Sequence, residues 1–490
     1  MAEFSYQNFE REFSDSMIEL EKAFQERNHL KTISYLRFLA RSYYMINYKM
    51  ADDRLEEITQ QISFDFLGET AITDSNSNTV AFYDGFGQID YVLAKIYIDA
   101  LAQLGYETVW IIHGNAPCLE EIQQYCKEKG NVSFRIVPVS PILERMRHLQ
   151  AIIKDISPKH LFFQAAPFDI CGAGVFSTVK GDVTRYLVDM SDHTFWLGKR
   201  AADYFIGFRN WSYNVENQLR GISSEQLIIL PYYPNSRARY AFDGMPFDTD
   251  RYEYIFSGGN PYKIEGDNTY QELVEHILIN YPKLKFVYAT YDGSGFKKQF
   301  RHPLLKYLER RYPGQFFRVP VRKDLDEVFK RAKLYLGTYP ISGGLMTQYA
   351  VVNHCIPLCL EKEPGSIMDP RTFLLQPDKA EFVFDNKEAL LTVLDKFLSD
   401  EQHLAQARSK LAGQVISEKE FTEELQCVLT EHQTKFKGKD MPIILDRFLA
   451  TYRRRADYKM FCDTIYNSHN DWIKQKYPEI IERMGCKEMG

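Results

Sequence analysis

Leu334-Tyr335-Leu336-Gly337-Thr338-Tyr339-Pro340-Ile341-Ser342-Gly343-Gly344-Leu345-Met346-Thr347-Gln348-Tyr349-Ala350-Val351-Val352-Asn353-His354-Cys355-Ile356-Pro357-Leu358-Cys359 is the stretch on which the fold turns. It reads as a buried strand, a glycine turn, a short helix over Leu345–Asn353 and an abrupt exit through Ile356-Pro357 into a second strand. Strand, helix and strand in such quick succession imply a parallel sheet covered by helices. Ser342-Gly343-Gly344 opens the helix, where first-turn N–H groups have no intrahelical partner and the positive dipole end points outward. Glycine lets a phosphate approach the backbone, and Ser342 can cap the helix. The same residues would also serve a plain capped turn. Thr347 and Gln348, one turn in, are candidates to hold phosphate or ribose.

The same rhythm runs outward in both directions. Residues 1–75 show only helical spacing, with Met17, Leu20, Ala23 and Phe24 on one stripe and Ile33, Leu36, Leu39 and Ala40 on another, before the polar run Thr73–Asn78. An alternating series follows over 76–235, with strands expected at Val80–Tyr83, Thr108–Ile112, Phe134–Val137, Leu161–Gln164, Arg185–Val188, Tyr204–Gly207 and Leu227–Leu230. Pro231-Tyr232-Tyr233-Pro234-Asn235 and the polar stretch 236–250 read as a hinge. A second series occupies 251–435, starting at Tyr254–Ser257 and continuing at Phe286–Ala289, Phe316–Val319, Leu334–Gly337, Ile356–Leu360 and Phe382–Phe384. Helices fill the remainder, 436–490. The expectation is α/β: two Rossmann-like parallel-sheet domains facing a cleft, with a helical N-terminal appendage and a helical C-terminal tail. Right-handed crossovers would gather the loops after the strands on one edge of each sheet, where such sheets bind ligands.

Bulk properties narrow the partners. With 490 residues the chain exceeds a single core, and 66 acidic against 60 basic side chains leave it at −6, unlike a nucleic-acid-binding domain. The eight cysteines form no C-x-x-C pair, which suits reduced core thiols and a cytoplasmic setting. No signal peptide pattern and no apolar run of roughly 20 residues is present, so membrane contact would be peripheral.

Three other loops carry chemistry. Phe256-Ser257-Gly258-Gly259-Asn260-Pro261-Tyr262-Lys263 ends a strand in a glycine loop with one lysine, suited to a diphosphate. Asp189-Met190-Ser191-Asp192-His193-Thr194-Phe195-Trp196-Leu197-Gly198 places Asp192 and His193 on a turn before an apolar anchor; a helix cap and a satisfied histidine are the plainer alternative. Asp84-Gly85-Phe86-Gly87-Gln88-Ile89-Asp90 offers Asp84 and Asp90 as bases, with His113 a rival at the next strand end. Asp292-Gly293-Ser294-Gly295 follows a second-series strand and reads as a turn that could line a base pocket.

The 334–359 unit resembles the donor-diphosphate unit of GT-B glycosyltransferases, and the Asp192–Gly198 segment resembles one in bacterial cytoplasmic N-glycosyltransferases related to O-GlcNAc transferase. The second likeness covers that segment well, the domain order loosely and the acceptor-side loops poorly, so the acceptor is not carried over with it. The resemblance implies transfer of a sugar from a nucleotide-diphosphate sugar, UDP favoured, to a glycan, lipid-linked or protein acceptor. Lys263, Ser342, Gly343, Gly344, Thr347, Gln348 and Gly259 would bind the donor, and His193, Asp192, Asp84 or Asp90 would act on the acceptor. The spaced glutamate pair of many retaining members has no counterpart in the unit, which favours inversion. No D-x-D stands in a suitable loop, so neither metal nor other cofactor is expected. A sugar-nucleotide 2-epimerase and a catalytically silent, partner-binding subunit remain the alternatives. Peripheral membrane association and a homo-oligomer are left open.

Overall fold

The computed structural model describes residues 6–86, 92–164, 166–234, 240–290, 303–363, 365–376, 381–455, 458–466 and 470–482. Asp90, Gly87 and the 292–295 turn lie outside them. The chain divides into two compact units, 1–230 with 418–490, and 231–417.

The first unit is built on strands β2 (Asn76–Asp84), β3 (Glu107–His113), β4 (Val132–Val137), β5 (Pro158–Gln164), β7 (Thr184–Val188), β8 (Tyr204–Gly207) and β9 (Leu227–Ile229). They lie in the order β4-β3-β2-β5-β7-β8-β9, every pair parallel. Val80–Tyr83 and Trp110–Ile112 are buried along their whole length, as a sheet covered on both faces requires. Order reverses at β2, whose neighbours are β3 and β5, so the switch point lies between β2 and β5. A separate two-stranded sheet, β1 (Thr70–Ile72) beside β6 (Val179–Gly181), has no counterpart in the sequence expectation, because each strand is only three residues long.

The N-terminal helices Tyr6–Gln25, His29–Ile46 and Asp53–Leu67 are part of this unit rather than an appendage. Phe13, Leu36, Tyr43, Leu55 and Ile58 share one buried core with Ala81, Tyr83, Phe163 and Phe195. At about 1.5–3 kcal/mol for each large apolar side chain withdrawn from water, such an interface is integral. The C-terminal boundary also differs from expectation. The helix Glu418–Glu431 belongs to the first unit, because its buried face packs on the Val92–Gln103 helix, with Phe421 and Tyr97 rings 5.1 Å apart. Farther along, Phe461 meets Phe9 edge-on at 5.6 Å.

The second unit carries β10 (Tyr254–Gly258), β11 (Lys285–Ala289), β12 (Phe316–Val319), β13 (Leu334–Leu336), β14 (Pro357–Leu360) and β15 (Val383–Phe384). Their order is β12-β11-β10-β13-β14-β15, again all parallel, with the switch point between β10 and β13. The loops after β10 and β13 hold the candidate donor residues, so the topology brings together at one edge what the sequence separates by some eighty positions. Among the described residues, no helix is long and apolar enough to cross a membrane.

Candidate functional site

In the second unit the β10 and β13 loops are stitched to each other. Gly259 N–H donates to the Ala289 carbonyl at 2.9 Å, and its φ of +149° favours glycine. The turn Pro261–Ile264 then carries Lys263, whose carbonyl accepts from Ile341 N–H at 3.2 Å. Through that bond Lys263 sits over the next loop. Its Nζ lies 3.5 Å from where a Cβ on Gly343 would stand. Among the described residues no carboxylate or other group pairs with this ammonium, and desolvation brings its pKa from 10.5 down to about 8.

The helix begins at Gly344 and runs to Val352, with Gly343 as N-cap and no side chain capping it. Its first-turn amides therefore remain available as donors beside an uncompensated lysine. Ser342 does not cap the helix: its hydroxyl donates to the Met368 carbonyl. Thr347 is fully buried and bonds back to the Gly343 carbonyl at 3.1 Å, the usual intrahelical use of threonine, so it is not presented to a ligand. Gln348 donates its amide to the carbonyls of Tyr232 and Phe373 at 3.3 and 3.1 Å; its buried Oε1 has no partner. Gly344 is glycine for a reason the sequence did not show, since a Cβ there would stand 2.4 Å from the Phe373 ring. Gly343 differs. The atoms nearest to a Cβ there belong to Lys263 and Met346, at 3.5 Å, an ordinary contact, and its φ of −104° suits any residue.

In the first unit the Asp189–Gly198 loop is anchored by Phe195, Trp196 and Leu197, all buried. N-terminal helices hold it from the side: Asn47 donates to the His193 carbonyl at 3.0 Å, and Glu56 accepts from Gly198 and Lys199 N–H at 2.7 and 3.0 Å. Asp192 is wholly buried and gripped by Arg209, which donates to both carboxylate oxygens at 2.6 and 3.0 Å. Against the penalty of burial, Arg209 and His193 hold its pKa at about 2. Asp192 is thus an orienting anion rather than a base. His193 keeps Nδ1 3.5 Å from Asp192 and its side chain is 39% exposed, while Nε2 has no partner among the described residues. A carboxylate facing Nδ1 favours the tautomer whose Nε2 lone pair can accept a proton. Behind them Asp189, Glu216 and Arg220 form a second buried charged group, in which burial pushes the Glu216 carboxyl well above 4.5.

Asp84 is buried as well. Its carboxylate accepts from Phe86 N–H at 3.0 Å and from the Trp110 indole at 3.3 Å, closing the turn after β2. His113, at the end of β3, belongs to a chain: Tyr83 donates to Asp169 at 2.6 Å, and His113 Nε2 lies 2.7 Å from the Tyr83 oxygen. With the phenol proton committed, His113 donates from Nε2 and keeps a lone pair on Nδ1. Burial lowers its pKa. A larger cavity, about 760 Å³, opens at the strand-start edge of the second sheet, but its Lys333 is already paired with Glu253 and Glu401. Among the described residues no cluster of three or more His, Cys, Asp or Glu is grouped as metal ligands.

Arg209, Phe373, Tyr83 and Asp169 were missed in the sequence. Each acts through a partner outside its own loop, 17 residues away for Arg209 and 86 for Tyr83 and Asp169.

No protein-family model matches the chain, and no curated protein matches it in sequence. Its backbone does match solved structures. A glycosyltransferase from Rickettsia africae superposes with a TM-score of 0.52 at 10% identity, over 73% of this chain and 98% of that one. The Anabaena protein HepE, in complex with UDP and glucose, gives 0.52 at 10% identity, over 72% and 99%. A Listeria monocytogenes protein named as a UDP-N-acetylglucosamine 2-epimerase gives 0.51 at 11% identity, over 75% and 100%. The fold is GT-B, with two Rossmann-like parallel sheets.

Proposed function

We propose that this chain is an inverting glycosyltransferase that takes its sugar from a nucleoside diphosphate sugar, UDP-sugars first, without a resident metal. One observation carries it: Lys263, desolvated and unpaired, stands beside an uncapped helix start at the switch point of the second sheet. A desolvated cation with no anion of its own is costly unless a ligand supplies one. HepE, of the same fold, was crystallised with UDP and glucose, which supports the choice of nucleotide.

In the reaction, His193 Nε2 takes the proton of an acceptor hydroxyl. The oxygen attacks the anomeric carbon from the face opposite the diphosphate. The bond from that carbon to the β-phosphate oxygen breaks, and the pair of electrons leaves on UDP. Lys263 and the first-turn amides stabilise the charge that grows there, which is the function a metal ion would otherwise serve. The first unit then provides the base and the acceptor site, the second the donor site.

Thermal unfolding with and without UDP tests the donor site. At 100 times its dissociation constant the nucleotide should stabilise the protein by about 2.7 kcal/mol, and Lys263→Ala should remove most of that shift. A wild-type protein whose melting is indifferent to UDP, GDP, CMP and dTDP sugars would end the proposal. Product analysis with a UDP-sugar separates transfer from epimerisation at C2, the chemistry of the Listeria neighbour's name.

A further inference from the structure

We propose that the first unit holds a second anion site, a pocket of about 370 Å³ at the switch point of its own sheet, which binds a phosphate group on the acceptor-side ligand. Assignment to the acceptor rests on the glycosyltransferase reading; the anion site itself does not.

The pocket opens where Gly85 follows β2, His113 ends β3 and Asp169 follows β5, the edge at which open parallel sheets take ligands. Three arginines line it. Arg37 and Arg41 stand one turn apart on the His29–Ile46 helix, and Arg145 comes from the Ile142–Ile156 helix. The anions nearby offset the burial of Arg37 and Arg41 only in part. Asp169 spends its oxygens on Cys171 N–H at 3.0 Å, Gly172 N–H at 3.2 Å and the Tyr83 hydroxyl at 2.6 Å. Tyr44 and Asp463 act electrostatically on Arg41 without cancelling the effect of its burial, and its guanidinium lies 5.2 Å from the centroid of the Phe168 ring. The Nε groups of Arg41 and Arg145 are buried without a partner, and Arg37 donates no hydrogen bond among the described residues. Arg145 makes a single one, to the Ser140 carbonyl at 3.1 Å. Burial depresses Arg37 and Arg41, and the nearness of Arg145 adds to the effect on Arg37.

Three guanidiniums brought together, two of them with a buried Nε that has no partner, weaken the folded protein unless a ligand satisfies them. Their planar forks match phosphate oxygens, and a dianion uses more of them than one carboxylate can. The volume lies at the small end of ligand pockets, enough for a sugar phosphate rather than a long chain. The helix that carries Arg37 and Arg41 ends at Asn47, which holds the His193 carbonyl, so the pocket and the proposed base share one rigid support.

The test is calorimetric titration of the full chain, saturated with UDP, by glucose 1-phosphate and, separately, by vesicles with and without phosphatidic acid. Binding of glucose 1-phosphate points to a soluble phosphorylated ligand. Binding only to phosphatidic acid vesicles points to a lipid-linked one. In either case Arg37→Gln and Arg145→Gln should each weaken binding at least tenfold while UDP affinity stays unchanged. Arg37→Gln should also melt no lower than wild type without ligand, because it removes a buried charge that has no partner. No binding in either arm, or binding undiminished in both variants, overturns the site. Failure of UDP alone to bind overturns the donor assignment instead, and the phosphate titration, repeated without UDP, still stands on its own.

Discussion

At the switch point of the second sheet the positive field comes from backbone amides and one lysine within two loops. At that of the first it comes from arginines on an N-terminal helix and on the helix between β4 and β5. Backbone amides are supplied by every residue but proline and do not titrate, and glycines give close approach to them. Guanidiniums have reach, but their placement depends on how distant helices pack. The second sheet therefore keeps its site in a short local stretch, whereas the first assembles one from segments more than a hundred residues apart.

The sharpest break of this comparison lies in two adjacent residues of the first unit. Asp192→Asn would leave Arg209 buried without its anion and should cost about 3–5 kcal/mol of stability, read by chemical denaturation. His193→Ala should leave stability nearly unchanged and lower turnover by about 100-fold or more, with UDP affinity intact. Activity close to wild type in His193→Ala would move the base to His113.

A smaller effect separates the two glycines of the donor loop. Gly344→Val drives a side chain into Phe373 and should destabilise by about 1–3 kcal/mol through overpacking. Gly343→Ala should melt with wild type yet bind UDP about tenfold more weakly, since its methyl would stand beside the Lys263 ammonium, where the proposed diphosphate binds. Unchanged UDP affinity in Gly343→Ala would place the diphosphate elsewhere.

The mildest test is pH. Lys263 must be an ammonium to hold the diphosphate, and in the free protein it loses its proton as pH rises through about 8. UDP affinity should hold below that value and fall by up to about tenfold per pH unit above it. Lys263→Arg, which stays charged, should abolish that slope. A flat wild-type profile from pH 7 to 9.5 would separate the lysine from the nucleotide.

Sequence alone determined what depends on period and local backbone chemistry. Buried apolar strands alternating with helices specify two parallel sheets, and glycines with a single lysine mark the loops after β10 and β13. Strand ends differ from expectation by up to four residues, as at the start of β2, because the sheet's hydrogen bonds rather than hydrophobicity decide where pairing stops. Tertiary structure alone decided which polar groups are free. Ser342, Thr347, Asp84 and Asp192 look like site residues by type and place, yet each has its lone pairs or proton committed to a neighbour that folding supplies. Arg37 and Arg41 look like the solvated face of a helix, yet packing turns them into a pocket where burial outweighs the nearby anions and the Nε of Arg41 is left without a partner. Residue type sets what a group can donate or accept; only the packing of distant segments settles whether that capacity has already been used.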